Sequence, residues 1–282
     1  MSTDLPMDDT PHLVDIKSIY TPASVIHSGE SVIPKKFFQT YKTSIFDQAH
    51  AHRIEVFRDL HPEFDFYFFD DDAMNEFMLS HWSDHPIYKI YQGAKFGPSK
   101  ADIWRYCVLS THGGIYLDID SEIQFNMNSI PDHVGEMVSF EENILGNFSW
   151  DEGWPCGAFF SQKNYVENLL VCPENIALQW LLAFRPGHPI LLRVIDLIAE
   201  NAAFYANRKF NNVLHAVVSF SGPIIFTQAV WEFVQSGQAM YQLSHDFNRL
   251  AVFKSIPEPA KSVYLQDENY YARKTNTEVL SL

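Results

Sequence analysis

The most constraining stretch of this sequence is Gly113-Gly114-Ile115-Tyr116-Leu117-Asp118-Ile119-Asp120. Two glycines break the segment before it, three apolar or aromatic residues form a short buried strand, and two carboxylates follow at its end. In extended chain, residues i and i+2 point to one side, so Asp118 and Asp120 are expected to converge. Two anions held together call for a cation between them or a proton on one of them. Hard oxygen ligands suit Mn²⁺ or Mg²⁺, with coordination positions left for a substrate's phosphates. Taken alone, such a pair is more often a solvated loop, so its surroundings decide.

Before the strand, Pro98 to about Thr111 reads as a helix with Ile103, Trp104, Cys107 and Val108 facing inward. Asp102 and Arg105 lie three apart on that helix, which makes them neighbours on one face. As an exposed pair they would add about 0–1 kcal/mol. The helix, the glycine turn and the strand together form a hairpin-like unit that could carry this face to the carboxylates.

The rest of the chain alternates strand and helix. Strands are expected at 33–41, 64–69, 115–117, 137–140 and 158–161, with helices at 46–60, 73–82, 175–184, 188–203 and 221–234. Ser221 stands where a cap for the last helix is wanted. Short strand-like pieces follow at 251–256 and 262–265. This pattern predicts an α/β fold with a mainly parallel central sheet flanked by helices. Residues 1–31, polar and carrying Pro6, Pro11 and Pro22, read as an N-terminal arm, and residues 32–282 as one domain.

Composition narrows the function. The 282 residues hold 35 acidic against 20 basic side chains, a net charge of −15. That balance argues against nucleic acid as a partner. An anionic substrate needs a local device, which a divalent ion on Asp118 and Asp120 supplies. Three cysteines (Cys107, Cys156, Cys172) form neither a CxxC nor a zinc-like cluster, which favours a reducing compartment. No run approaches the about 18 apolar residues of a membrane span, and Met1–Asp9 lacks the features of a signal peptide. A cytoplasmic protein, able to work at the membrane surface through peripheral association, is expected.

The segments Ala101-Asp102-Ile103-Trp104-Arg105-Tyr106 and Gly113 to Asp120 resemble the DXD region of family 32 glycosyltransferases, most of all the fungal initiating α-1,6-mannosyltransferases. Ile33 to Lys42 is similar to the family's first strand, with Tyr41 where a Trp usually stands. His61-Pro62-Glu63-Phe64 through Phe69-Asp70-Asp71 is similar to a second block. Ala177-Leu178-Gln179-Trp180, Pro186-Gly187-His188-Pro189 and Ser221-Gly222-Pro223 resemble later ones. The spacing is also shared, more distantly, with clostridial toxin glucosyltransferase domains. The resemblance implies a GT-A fold and a metal-dependent, anomer-retaining transfer of a hexose, mannose first, with galactose, glucose or GlcNAc as alternatives. The donor would be a GDP- or UDP-sugar, and the acceptor a glycan or glycolipid. By position it makes Asp120 a metal ligand and lets Asp118 touch the metal, directly or through water, and the donor. Asp102 and Arg105 would hold sugar hydroxyls, Tyr116 would lie beside the donor, and Tyr41 would flank the base.

Other signals weigh less. Asp70-Asp71-Asp72 reads as helix capping, and His50-Ala51-His52 as helix rather than a metal clip. Glu141-Glu142 and Asp151-Glu152, around Trp150 and Trp154, are either acceptor contacts or a solvated acidic loop. His245 aligns with no motif. Two further functions stand as alternatives: a haloacid-dehalogenase-like phosphohydrolase using Asp118 as nucleophile, and a non-catalytic sugar-nucleotide-binding protein.

Overall fold

A computed structural model describes residues 13–16, 22–23, 31–124, 131–141, 154–155, 175–241, 251–252 and 270–282. The expectations at Cys156, Cys172, Glu142, Trp150, Asp151, Glu152 and His245, and the strands at 158–161 and 262–265, lie outside these residues.

The centre is a five-stranded sheet in the order β4-β2-β5-β10-β7, where β2 is Lys36–Thr40, β4 Asp65–Phe69, β5 Gly114–Leu117, β7 Glu136–Met137 and β10 Leu181–Phe184. β4, β2 and β5 are parallel. β10 runs antiparallel to both β5 and β7. The remaining described strands, β1 (Leu13–Asp15), β3 (Ile45–Asp47), β6 (Glu122–Ile123), β8 (Phe140–Glu141), β9 (Ile176–Ala177), β11 (Lys209–Phe210), β12 (Ala251–Val252) and β13 (Thr277–Glu278), form two-stranded pairs around it.

Each helix starts for a local reason. Asp47 caps α1 (Gln48–Leu60) by accepting from the His50 amide at 2.9 Å. Asp70 caps α2 (Asp71–Trp82) through the Ala73 amide at 3.0 Å, while Asp71 and Asp72 complement the first-turn dipole, so the acidic triplet serves capping as expected. Pro86 opens α3 (Pro86–Gly93), a helix the sequence reading missed. Pro98 sits in the first turn of α4 (Gly97–His112), which ends at Gly113 with φ 62°. A Cβ at Gly113 would stand 2.5 Å from Pro186 Cδ, and one at Gly114 (φ 107°) 2.7 Å from the Lys36 carbonyl. Only glycine fits both places, and the helix passes into β5 with no slack.

Side chains alternate across the sheet. Phe37, Phe66, Ile115, Leu117, Leu181 and Ala183 meet Phe57 of α1 on one face. Phe38, Tyr116, Leu182 and Phe184 meet α2, α4 and the later helices on the other. Those later helices are α5 (Pro189–Tyr205), α6 (Val213–Phe220) and α7 (Pro223–Gln235).

One expectation about an element is corrected. Residues 175–184 are not a helix. Leu181–Phe184 is an inner strand buried on both faces, and a short run that is apolar throughout does not show the two-residue period of a strand. Among the described residues, Val213–Gln235 is the one stretch that passes for a membrane span by length and composition, yet it is broken into α6 and α7 at Ser221-Gly222 and is mostly buried in the core.

Candidate active site

The site grows from α4. Residues Asp102 to Ser110 of this helix are all buried, so its polar residues must find partners inside. Asp102 and Arg105 are each about 7% exposed at the side chain, and are no surface pair. Arg105 Nη2 lies 3.3 Å from Asp102 Oδ1 and 3.5 Å from Asp118 Oδ1, so one guanidinium joins the helix to the end of β5. Its carbon stands 4.3 Å over the Tyr116 ring. The Tyr116 hydroxyl donates to Asp118 Oδ1 at 2.6 Å. The helix–turn–strand unit therefore does bring the Asp102 face to the carboxylates.

Two further residues complete the array: Gln179, assigned no role from sequence, and Ser221, expected there only as a helix cap. Gln179 Nε2 donates to Asp102 Oδ1 at 3.1 Å, and its backbone carbonyl accepts from Arg105 Nη1 at 2.8 Å. Ser221 Oγ donates to Asp102 Oδ2 at 3.0 Å. The Tyr106 hydroxyl lies 2.5 Å from Gln179 Oε1 and 3.0 Å from the Ser221 carbonyl, tying both to α4. Ser221 is thus not the cap of the last helix. Gly222 holds that position without a side-chain bond, because the serine hydroxyl turns to Asp102. The signal available was the pair of blocks holding Gln179 and Ser221, which converge here on Asp102.

The acidic pair differs from expectation. β5 ends at Leu117, and the Ser121 amide donates to the Asp118 carbonyl at 3.0 Å, so residues 118–121 form a turn rather than extended chain. Strand alternation therefore does not aim the two carboxylates. The Asp118 amide is held by the Trp180 carbonyl at 2.8 Å, and Asp120 Oδ1 accepts from Ser121 Oγ at 3.5 Å. The Tyr41 ring is 5.3 Å from that of Phe46 and shares a small apolar cluster with Phe68 and Ile119.

Burial dominates the electrostatics. It raises the Asp102 carboxyl to about 6, against the pull of Arg105 and the Ser221 and Gln179 bonds. Burial also opposes charge on Arg105, but Tyr116, Asp118 and Asp102 outweigh it and hold the guanidinium above its ordinary range. Burial pushes the Tyr116 hydroxyl well up, so it remains a donor to Asp118. Asp118 itself is about one-quarter exposed. Among the described residues no group of three His, Cys, Asp or Glu stands together as a ready metal cage.

The segment that carries this array, from α4 to the turn after β5, lies within a match to a known family. Residues 47–135 match the family described as the glycosyltransferase sugar-binding region containing the DXD motif. The chain is 27% identical over 228 residues to the initiation-specific α-1,6-mannosyltransferase of Schizosaccharomyces pombe, covering 79% of this chain and 53% of that protein. It is 24% identical over 216 residues to the Candida albicans protein of the same name, covering 72% and 54%. It is 34% identical over 97 residues to inositol phosphoceramide mannosyltransferase 3 of S. pombe, covering 34% and 26%. The chain thus spans about half the length of the two initiation-specific relatives. Among solved structures, PaToxG glycosyltransferase superposes with a TM-score of 0.44 at 17% identity, covering 72% of this chain and 71% of that one.

Proposed function

We propose that this protein is a glycosyltransferase of the GT-A type, with residues 32–282 acting as one domain. It would move a hexose, mannose first, from a nucleotide-diphosphate sugar to a glycan or glycolipid, with retention at the anomeric carbon. The observation that carries this reading is the buried array in which Arg105 joins Asp102 to Asp118 beside Asp120.

In that reading the protein's part is positional. Gln179 and Ser221 hold one donor on each oxygen of Asp102, and a carboxylate oxygen keeps a second acceptor site for a sugar hydroxyl. Arg105, over the Tyr116 ring, offers N–H groups at the edge of the same site. Holding the donor sugar by such rigid groups reduces the entropy lost on reaching the reactive geometry.

Mn²⁺ or Mg²⁺ fits the donor set. Asp118 and Asp120 supply hard oxygens, Asp118 is reachable from solvent, and the donor's phosphates and water can complete the shell. When bound, the ion would neutralise the leaving diphosphate on a protein of net charge −15. The test is thermal unfolding with GDP- and UDP-sugars, with and without Mn²⁺. Stabilisation by one donor that needs the metal and disappears in Asp120→Ala supports the reading; no donor-dependent shift in the parent chain rejects it.

A further inference from the structure

One tyrosine comes to the Asp102 array from a distant part of the chain. Tyr271 starts a single 3₁₀ turn (Tyr271–Arg273) that packs beside α6, with its ring partly buried against the main core. The ring lies 6.0 Å from that of Phe96, the residue that opens α4. From Phe96 the helix climbs by threes, through the fully buried Ser99 to Asp102. Tyr271 therefore stands at the foot of the helix that carries the array.

The charges of the array reach its hydroxyl. Burial, the adjacent Tyr270 and the Asp102 carboxylate raise it above the ordinary range of a phenol, against the pull of Arg105. Charge effects across a wetted site fade over about 10 Å, so this hydroxyl belongs to the neighbourhood of Asp102 and Arg105. It stays protonated, and a phenol in that form both donates and accepts.

The strand that follows fixes the turn in place. The Lys95 amide donates to the Val279 carbonyl at 3.0 Å, the Asn207 amide to the Leu280 carbonyl at 2.9 Å, and the Ser281 amide to the Gly93 carbonyl at 3.0 Å. Val279 and Leu280 are fully buried, and β13 pairs with β11. A Cβ on Gly93 would stand 2.2 Å from the Ser281 carbonyl oxygen, so the segment lies directly on the end of α3. A side chain delivered by a segment held in this way loses little freedom when it takes a ligand.

We propose that Tyr271 binds the hexose of the donor, its hydroxyl sharing the sugar's hydroxyls with Asp102 and Arg105, a role that rests on the glycosyltransferase reading above. Ionised Asp102 only accepts and Arg105 only donates, whereas a sugar hydroxyl does both, as Tyr271 does. The neighbours of Tyr271 are the residues that reading gives to the sugar. Tyr41, which it gives to the base, lies in a separate cluster with Phe46 and Phe68.

The test is calorimetric titration of the full chain and of Tyr271→Phe, which keeps the ring beside Phe96 and removes only the hydroxyl. GDP-mannose, UDP-glucose, GDP and UDP are each titrated with Mn²⁺ present. The variant should bind the nucleotide-sugar about tenfold more weakly, the effect of losing one good hydrogen bond, and the matching nucleoside diphosphate equally well. Equal affinity of variant and parent for the nucleotide-sugar overturns the proposal. An equal loss for the diphosphate overturns it too, because the hydroxyl would then serve the nucleotide or the fold rather than the sugar. Both of those outcomes leave the glycosyltransferase reading standing, whereas a parent chain that binds neither nucleotide-sugar refutes that reading and the role of Tyr271 with it.

Discussion

Ser221 and Asp102 are 119 residues apart in sequence and 3.0 Å apart in the fold. The hydroxyl that might have capped a helix instead fixes the carboxylate of another. Ser221→Ala should therefore cost about 1 kcal/mol of stability without fraying α7. Urea unfolding reads the cost, and an unchanged midpoint would rule out the bond as a support of Asp102.

Gln179 has more depending on it, since its side chain bridges Asp102 and Tyr106. Gln179→Leu takes one partner from each buried group, while Tyr106 keeps the Ser221 carbonyl and Asp102 keeps Ser221 and Arg105, and should destabilise by about 1–2 kcal/mol. Donor binding should weaken as Asp102 loses its orientation. Comparing denaturant midpoints with donor titrations checks both effects.

Arg105→Lys keeps the charge but loses the planar fork that reaches Asp102, Asp118 and the Gln179 carbonyl. Transfer activity should fall by about a hundredfold, the scale of losing a positioned charged donor. Arg105→Met strands two carboxylates and should cost about 3–5 kcal/mol. Activity within a few-fold of the parent in the lysine variant would show that charge alone suffices.

Asp102 predicts a pH dependence whose sign follows from its raised pKa. Burial lifts it from 3.8 to about 6, so between those values the folded chain holds a proton that the unfolded chain has released. Stability from this group therefore falls as pH rises through that window and is level above it. Asp102→Asn cannot ionise, so its stability relative to the parent should improve from pH 4 to pH 7. Denaturation of both proteins at the two pH values, with chelator present, measures the change. A constant difference would mean that Asp102 binds its proton equally in the folded and unfolded chain.

Much of the amino-terminal half was legible because its signals are local. Asp70 ahead of α2, the apolar spacing of α4 and the Gly113-Gly114 break can each be read within one turn of chain, as can the Asp102–Arg105 face. What escaped depends on contacts distant in sequence. Leu181–Phe184 is apolar on both faces because neighbouring strands and helices bury it, which its sequence does not distinguish from a core helix. Gln179 and Ser221 were visible as blocks, but their meeting at Asp102 requires the fold. The acidic pair follows β5 as the sequence order requires, but its geometry was not legible, since the Ser121-to-Asp118 bond turns a chain that alternation assumed straight.

The glycine turn between α4 and β5 carries one more consequence. A Cβ at either position would collide with Pro186 or with the Lys36 carbonyl, so only glycine lets the chain turn this tightly from α4 into β5. The gap between Asp102 and Asp118, which Arg105 spans like a calliper, depends on how many residues the chain places between them. Inserting one residue between Gly114 and Asp118 would leave every side chain of the site present and reset the gap, so such a variant separates having the right residues from having them at the right spacing.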